Sequence, residues 1–432
     1  MPRRRVLLLG QGDLTEETAE ALRAADAEVK WLEDPTHEEL RETLAEGMDA
    51  AMVVSRDDAW PLRAALLVRH LDPDVPIVAT IFNPETGREL EEEIGNCTIT
   101  SLADIVAPTL AGPCLDDGVA AVLDEADGAV GLRYSDGAAE VASLPPVRPR
   151  RIRAFGTAIL KPFDRSAALV FFGAVGLIAV LIFETVAAAI VLDQALVDSF
   201  YGAVKTLVTV DPNLAIKHGP NWFKLVISGS MLVALLFAAA FTGGLVERLI
   251  GRRLTGLIGR RAVPRSEHIV VVGLGQVGLR LALLLRRCGY PVVAIDERDD
   301  GENVGHAKEL GLPVVIGRGA DPSLLKRLSL PHATALAAVT SDDYQNIAVV
   351  LAARALASDL RIVLRAGSGA TAGETRSLER LGAVRDVHRI GAAYLAGIAL
   401  GSSASHVVVD GDAAHLRDGD GSLERCPYPV AG

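Results

Sequence analysis

Cysteine is scarce in this 432-residue chain: Cys97, Cys114, Cys288 and Cys426 stand far apart, with no CxxC or Cys/His spacing. That argues against a zinc site or a disulfide framework and reads as reduced thiols in a cytosolic compartment. Excess positive charge is missing too. The formal net charge is −12, which argues against a nucleic-acid binder. A signal-peptide core is also lacking. Met-Pro-Arg-Arg-Arg is followed only by the short run VLLLG and then by a Gly-rich turn. That run reads as a strand, which leaves the N-terminus in the cytoplasm.

What is abundant is apolar residues. They make up 50% of the chain beside 23% charged residues, a balance that points to lipid-exposed segments. Residues 166–192 form a long apolar run with one charge, Glu184, and residues 225–246 carry none. Each meets the ~20-residue requirement for a spanning helix; a buried core helix is the alternative. Six basic residues precede the first run (Arg148, Arg150, Arg151, Arg153, Lys161, Arg165). Six more follow the second (Arg248, Arg252, Arg253, Arg260, Arg261, Arg265). The loop between, 193–221, holds three Asp and two Lys. The flanking charge places both termini inside and the loop outside. The first part of that loop, from Asp193, is moderately apolar yet too short and too polar to span. It reads as a re-entrant half-helix, which needs burial in protein or an aqueous cavity. Two spanning helices cannot enclose a pore alone, so several subunits must surround one axis.

The stretch FYGAVKTLVTVDPN (Phe200 to Asn213) resembles the pore helix and filter of two-helix potassium channels, whose pattern is T-x-x-T-V-G-Y-G. Thr206, Thr209 and Val210 match it; Asp211, Pro212 and Asn213 stand where Gly, Tyr and Gly belong. A potassium filter stacks carbonyl rings whose glycines take backbone angles barred to other residues. Pro212 fixes its own φ and pushes Asp211 toward extended conformations; Asn213 is the mildest change. The resemblance therefore implies a tetramer whose inner filter, Thr209 and Val210, still offers carbonyls and a hydroxyl ring. Four Asp211 carboxylates would ring its mouth. That suits cations without strong potassium selectivity; a loop cap over a closed pore is the alternative. Glu184 is a functional candidate by its depth in the membrane or a structural partner of Lys205. Gly243 and Gly244 serve helix packing, or else hinge the second span.

After the second span, HIVVVGLGQVGLRLALLLRRCGYPVVAID reads strand, Gly-rich turn, amphipathic helix, strand. Gly273, Gly275 and Gly278, with Gln276 and Val277 between them, form G-x-G-x-x-G, and Asp296 ends the next strand 18 residues later. The glycines permit a tight turn and close approach of pyrophosphate to a helix N-terminus, and the acid accepts from ribose hydroxyls. Gly317 and Asp321 give G-x-x-x-D; Thr340, Asp342 and Asn346 give T-x-D-x-x-x-N. The series over 267–400 resembles the regulator-of-potassium-conductance module, also called the Trk-type NAD-binding domain. The resemblance implies that these residues line a nucleotide cleft for NAD(H) or an adenine nucleotide, with calcium as another candidate ligand. No catalytic base or nucleophile stands out beside the cleft, so the expectation is a sensor and not an enzyme. A membrane-bound NAD-dependent oxidoreductase is the weakest alternative.

The chain also repeats itself. With 263 added, Gly10, Gly12, Thr15 and Glu33 fall on Gly273, Gly275, Gly278 and Asp296. Further on the shift is 285: Ser55 meets Thr340, Asp57 meets Asp342, Arg69 meets Arg354, and Leu110-Ala111-Gly112 meets Leu395-Ala396-Gly397. The first copy has lost about one strand–helix unit between Glu33 and Met52. Thr15 and Pro61 stand where the second copy has Gly278 and Asn346, so the first copy reads as a poor nucleotide binder that pairs with the second.

The expected fold class is therefore two α/β Rossmann-like modules plus an all-α two-helix transmembrane pore domain with a re-entrant pore helix. The expected domains are a regulatory module 1–115, an appendage and linker 116–150, a pore domain 151–265 with pore helix and filter at 194–213, a nucleotide-binding module 266–400 and an appendage 401–432. The Asp/Gly-rich appendages, with the short strand-like stretches GLRYS and HVVVD, read as small additions or partly disordered tails. The expected assembly is a homotetramer in the cell membrane, in contact with lipid, cations and nucleotide. It resembles ligand-gated channels with a cytoplasmic ring of such modules and, more loosely, cation channels of the CASTOR and POLLUX type. A nonconducting, membrane-anchored nucleotide sensor that regulates transport is the other reading.

Overall fold

The computed structural model describes residues 3–125, 128–135, 138–144, 165–207, 216, 219–250, 264, 266–367, 380–411 and 413–430. The chain divides into two units, residues 1–149 with 264–432, and residues 150–263.

The first unit begins with β1 (Arg5–Gly10), α1 (Asp13–Ala24), β2 (Glu28–Leu32), α2 (His37–Ala45), β3 (Ala50–Val54), α3 (Ala59–Leu71), β4 (Ile77–Thr80), α4 (Pro84–Ile94), β5 (Cys97–Thr100) and α5 (Leu102–Leu115). The strands form one parallel sheet, β2-β1-β3-β4-β5. Strands β1, β3 and β4 are short, nearly continuous apolar runs, buried almost throughout, as a parallel sheet covered on both faces requires. Side-chain caps start the helices: Thr36 and Glu39 form a capping box on α2, and Asn83 and Ser101 cap α4 and α5. Apart from Asp104 in its first turn, helix α5 is almost wholly apolar, and it is buried from Ile105 to Leu115, the pattern of a helix packed on every side. An antiparallel sheet follows: β6 (Ala121–Glu125), β7 (Gly128–Ser135) and β8 (Ala138–Ala142).

The second unit holds α6 (Arg165–Val191), α7 (Leu196–Leu207) and α8 (Asn221–Ile250). By length and composition α6 and α8 can each cross a membrane; α7, at 12 residues, cannot. Helix α8 starts at Asn221, ahead of the apolar run at 225. The two long helices pack through small residues on α6. A Cβ added at Gly173 would lie 2.7 Å from the Phe241 backbone nitrogen, and one at Gly176 would lie 2.4 Å from the Phe237 ring. At Gly243 an added Cβ meets nothing within 4 Å, so packing between these two helices runs through Gly173 and Gly176 and not through Gly243. Glu184 is buried and accepts a hydrogen bond from Ser230 Oγ on α8 at 2.6 Å. Its partner is thus a hydroxyl on the other long helix, where the sequence had suggested Lys205. Phe172, Ile178, Ile182 and Ile190 on α6 and Leu225, Leu232 and Leu236 on α8 are exposed, apolar surface that calls for lipid or protein cover.

The first unit resumes with β9 (Ile269–Val272), α9 (Gln276–Arg287), β10 (Val292–Asp296), α10 (Glu302–Glu309), β11 (Val314–Ile316), α11 (Pro322–Arg327), β12 (Ala335–Ala338), α12 (Asp343–Leu356), β13 (Arg361–Ala366), β14 (Ala383–Asp386) and α13 (Val387–Ala399). It closes with the antiparallel β15 (His406–Asp410), β16 (Ala413–Arg417) and β17 (Leu423–Pro429). The parallel sheet runs β11-β10-β9-β12-β13-β14.

Strand pairing follows the internal repeat. Leu9 pairs with Leu32 as Val272 pairs with Ile295, so Glu33 holds the place of Asp296. Leu9 pairs with Val53 as Val272 pairs with Ala338, so Ser55 holds the place of Thr340. The first sheet has five strands against six, and β11 with α11 has no counterpart in it. The 285 shift also continues beyond Gly112: Val122 pairs with Gly131 as Val407 pairs with Leu416. The described parts of the appendages are therefore a repeated three-stranded sheet and not tails, and the two sheets share a small core of Ala121, Leu123, Leu132 and Val408.

The two modules pack as mates. Helix α1 lies on α13, and its repeat counterpart α9 lies on α5. One apolar core runs through both, from Val6 and Leu110 to Ile269 and Ile390.

Candidate nucleotide-binding site

Strand β9 runs into Gly273, which has φ 99° and leaves no room for a side chain: an added Cβ would lie 2.9 Å from the Thr340 backbone. Gly275 is the N-cap of α9, with open space around it. Gly278 lies in the first turn of α9, where a Cβ would come within 1.9 Å of the Gly273 carbonyl oxygen. The three glycines thus serve a tight turn, backbone left bare for a ligand, and close seating of helix on strand. The helix N-terminus supplies unpaired N–H groups and the positive end of its dipole.

Asp296 stands at the end of β10. Its Oδ2 accepts the Leu274 N–H at 2.8 Å and its Oδ1 the Arg298 N–H at 2.9 Å. A carboxylate offers about four acceptor positions, so the acid braces the glycine turn and keeps capacity for ribose hydroxyls. Asp321 caps α11, accepting the Ser323 N–H at 2.8 Å, and that bond holds its carboxyl below the usual range. Asp342 caps α12 through the Gln345 N–H at 3.1 Å. Asn346 is fully buried. Its Oδ1 accepts from Thr340 N–H and Oγ1 at 2.9 and 2.8 Å, and its Nδ2 donates to the carbonyls of Thr340 and Arg365 at 3.1 and 3.2 Å. Those four bonds use its capacity, so Asn346 holds the Thr340 turn to β13.

A cavity of about 1140 Å³ opens over these groups. Gly273, Gly275, Gln276, Val277, Asp296, Gly317, Asp321, Thr340 and Asp342 line it, while Gly278 and Asn346 stand behind its wall. The volume exceeds an ordinary small-ligand pocket. The bare glycine backbone and the spare acceptors of Asp296 fit the phosphate and ribose of a nucleotide.

No nucleotide motif in the sequence pointed to the opposite wall, which comes from the first module: Ser55, Arg56, Asp58, Thr80 and Phe82. The Gln276 side chain donates to the Arg56 carbonyl at 3.2 Å. Arg56 Nη2 lies 2.8 Å from His388 Nε2 and 3.9 Å from the Asp13 carboxylate. Burial, with Arg365 and Arg56 nearby, pushes the His388 imidazole down to about 4. It is therefore neutral near pH 7 and accepts from Arg56. Burial and the Arg56 charge hold Arg365 down to about 10. The only trace of this wall in the sequence is that Ser55 aligns with Thr340. The first module's own turn is different. Trp31 Nε1 donates to the Gly10 carbonyl at 2.9 Å, and Thr15 fills the place of Gly278. Gly10, Gly12 and Glu33 do not line the cavity.

In the second unit Thr206 is buried and donates to the Gly202 carbonyl at 3.0 Å. Thr209, Val210, Asp211, Pro212 and Asn213 lie outside the described residues. Among the described residues no group of three His, Cys, Asp or Glu side chains converges to hold a metal.

The glycine turn, its acid and the parallel sheet fall within one recognisable segment. Residues 269–388 match the TrkA-N domain. The chain is 25% identical over 177 residues to the voltage-gated potassium channel Kch of Escherichia coli, covering 40% of this chain and 42% of that protein. It is 26% identical over 106 residues to potassium channel protein 1 of Methanocaldococcus jannaschii, covering 24% and 32%. It is 38% identical over 87 residues to the Trk system potassium uptake protein TrkA of Streptomyces coelicolor, covering 20% and 39%. The matched part thus spans well under half the length of each of these relatives. Among solved structures, the GsuK channel superposes with a TM-score of 0.51 at 19% identity, over 92% of this chain and 64% of that one. That likeness extends the shared fold beyond the TrkA-N segment to nearly the whole chain.

Proposed function

We propose that this chain is one subunit of a homotetrameric, nucleotide-gated cation channel in the cell membrane, with both termini cytoplasmic. The observation that carries the reading is a TrkA-N cavity walled on one side by a second module, in a chain that also holds two helices long enough to span and a shorter helix between them. The curated relatives, two named as potassium channels and one as a potassium uptake protein, support ion transport. NAD(H) or an adenine nucleotide is the ligand this site suits. The helix N-terminus at Gly275 and Gln276 would hold its phosphates, and Asp296 a ribose lacking a 2′-phosphate. Because residues of both modules line the cavity, a ligand seated there favours one arrangement of the pair. It shifts the pore only by its differential affinity for the two arrangements. The first module acts as a scaffold and binds nucleotide poorly, since Trp31 and Thr15 crowd its turn.

Asp211-Pro212-Asn213 in the filter leads us to propose cation conduction without strong potassium selectivity. The same departure motivates the second reading, a nonconducting nucleotide sensor. Purified chain in planar bilayers, with potassium, sodium and calcium present and NAD, NADH or ADP added on the cytoplasmic side, separates the two. Nucleotide-dependent currents that pass sodium nearly as well as potassium are expected. Silence under every nucleotide, with binding intact, would leave only the sensor.

A further inference from the structure

The junction of the two modules carries the same ion pair twice, with its polarity inverted. At the 263 shift Glu17 on α1 corresponds to Arg280 on α9; at the 285 shift Asp104 on α5 corresponds to Arg389 on α13. Arg280 Nε lies 2.9 Å from the Asp104 carboxylate, and Arg389 Nε lies 3.6 Å from the Glu17 carboxylate. The two pairs occupy equivalent places across the pseudo-twofold relation of the modules. The first module supplies both acids and the second both bases. Each arginine is also held by an aromatic ring, Arg280 over Phe82 at 4.9 Å and Arg389 over Tyr428 at 5.8 Å.

Size is matched in the same sense. A Cβ added at Gly391 on α13 would lie 2.5 Å from Leu102 of α5. The first-module counterpart of Gly391 is Val106.

We infer that these contacts form a pairing code. A first-module face accepts only a second-module face, from its own chain or a neighbouring copy. Two first-module faces would set Glu17 against Asp104 twice and drive Leu102 into Val106. Two second-module faces would set Arg280 against Arg389 twice. Opposed like charges and unfilled or overfilled positions reject a wrong partner as effectively as good contacts select the right one. In any assembly with many copies of both modules, the code fixes which faces meet. It does not depend on what the cavity binds or on whether the pore conducts.

The test compares reversal with truncation in the full chain, purified in detergent. Glu17→Arg opposes Arg389 within the junction and makes the first-module face complementary to itself in charge, the introduced guanidinium facing Asp104 of a second copy, with the Leu102–Val106 overlap left as it was. Arg389→Glu does the same for the second-module face. Glu17→Ala and Arg389→Ala remove the same attraction without creating a self-complementary face. Light scattering and sedimentation should show each reversal placing at least threefold more mass above the wild-type particle than its alanine partner. Combining Glu17→Arg with Arg389→Glu restores attraction across the junction and should bring that mass back toward wild type. Equal association of the reversal and alanine variants, with thermal unfolding showing both folded, would overturn the code. The two reversals lie on different modules, so each checks the other.

Discussion

At the scale of single residues, the glycine turn is the most constrained place in the second module. Gly278→Ala puts a methyl 1.9 Å from the Gly273 carbonyl, and α9 must lift off β9 to admit it. Overpacking of this kind costs about 1–3 kcal/mol. We expect a lower Tm together with loss of the thermal shift given by NAD or ADP. Gly305, inside α10, has nothing within 4 Å of an added Cβ. There, alanine should stabilise by about 0.5–1 kcal/mol through helix propensity and leave the nucleotide shift unchanged. His388 supplies a pH dependence. Between pH 6.5 and about 4 the unfolded chain protonates this imidazole and the folded chain does not. The unfolded state then binds more protons, so stability falls as pH drops through that window, by about 3 kcal/mol at its acid end. Asp386, whose carboxyl burial pushes up, acts in the opposite sense but is present in both proteins when His388→Gln is compared with wild type. Unfolding followed by circular dichroism at pH 4.5 and pH 7 should show a smaller difference for His388→Gln. An equal slope in the two would show that His388 does not set it.

At the scale of elements, Asn346 ties two strand ends with four hydrogen bonds at zero exposure. Asn346→Ala removes the partner of the part-buried Thr340 N–H and of the Thr340 and Arg365 carbonyls, which costs about 1–3 kcal/mol. Urea unfolding should show the midpoint falling without a change in slope. The sequence made these elements readable because parallel strands are short apolar runs closed by glycine turns and followed by amphipathic helices; that Asp321 and Asp342 cap two of those helices shows only in the structure. The glycine turn and Asp296 were legible for the same reason, since each needs a fixed residue at a fixed place. What escaped has physical causes as well. In the two appendages only GLRYS and HVVVD read as strand-like; β6, β8, β16 and β17 are short and carry too little apolar alternation to mark them. Nothing local to Glu184 identified Ser230 as its partner, because the two meet only when α6 lies on α8. Arg56, Asp58 and Phe82 bear no nucleotide motif. They reach the cavity because α1 docks on α13 and α9 on α5, and a helix-to-helix docking leaves only apolar faces and scattered charges in a sequence.

At the scale of the whole molecule, the repeat changes what a ligand does. A nucleotide held by one Rossmann-like module alone stabilises that module and nothing else. Here the cavity takes Gly273, Asp296 and Thr340 from one module and Ser55, Arg56 and Phe82 from the other, and a single apolar core joins the two. Binding energy therefore enters the pair as a unit, with added stability that grows as RT ln(1 + [L]/Kd), about 2.7 kcal/mol at a hundredfold excess over Kd. Hydrogen exchange on the full chain, with NAD or ADP at that excess, should slow at 273–278 and also at 55–58 and 80–82, whose amides belong to the first module. Protection confined to 273–346 would mean that the ligand stops short of the opposite wall, and the pair would then lack a ligand-driven means of acting on the helices that separate its two halves in the sequence.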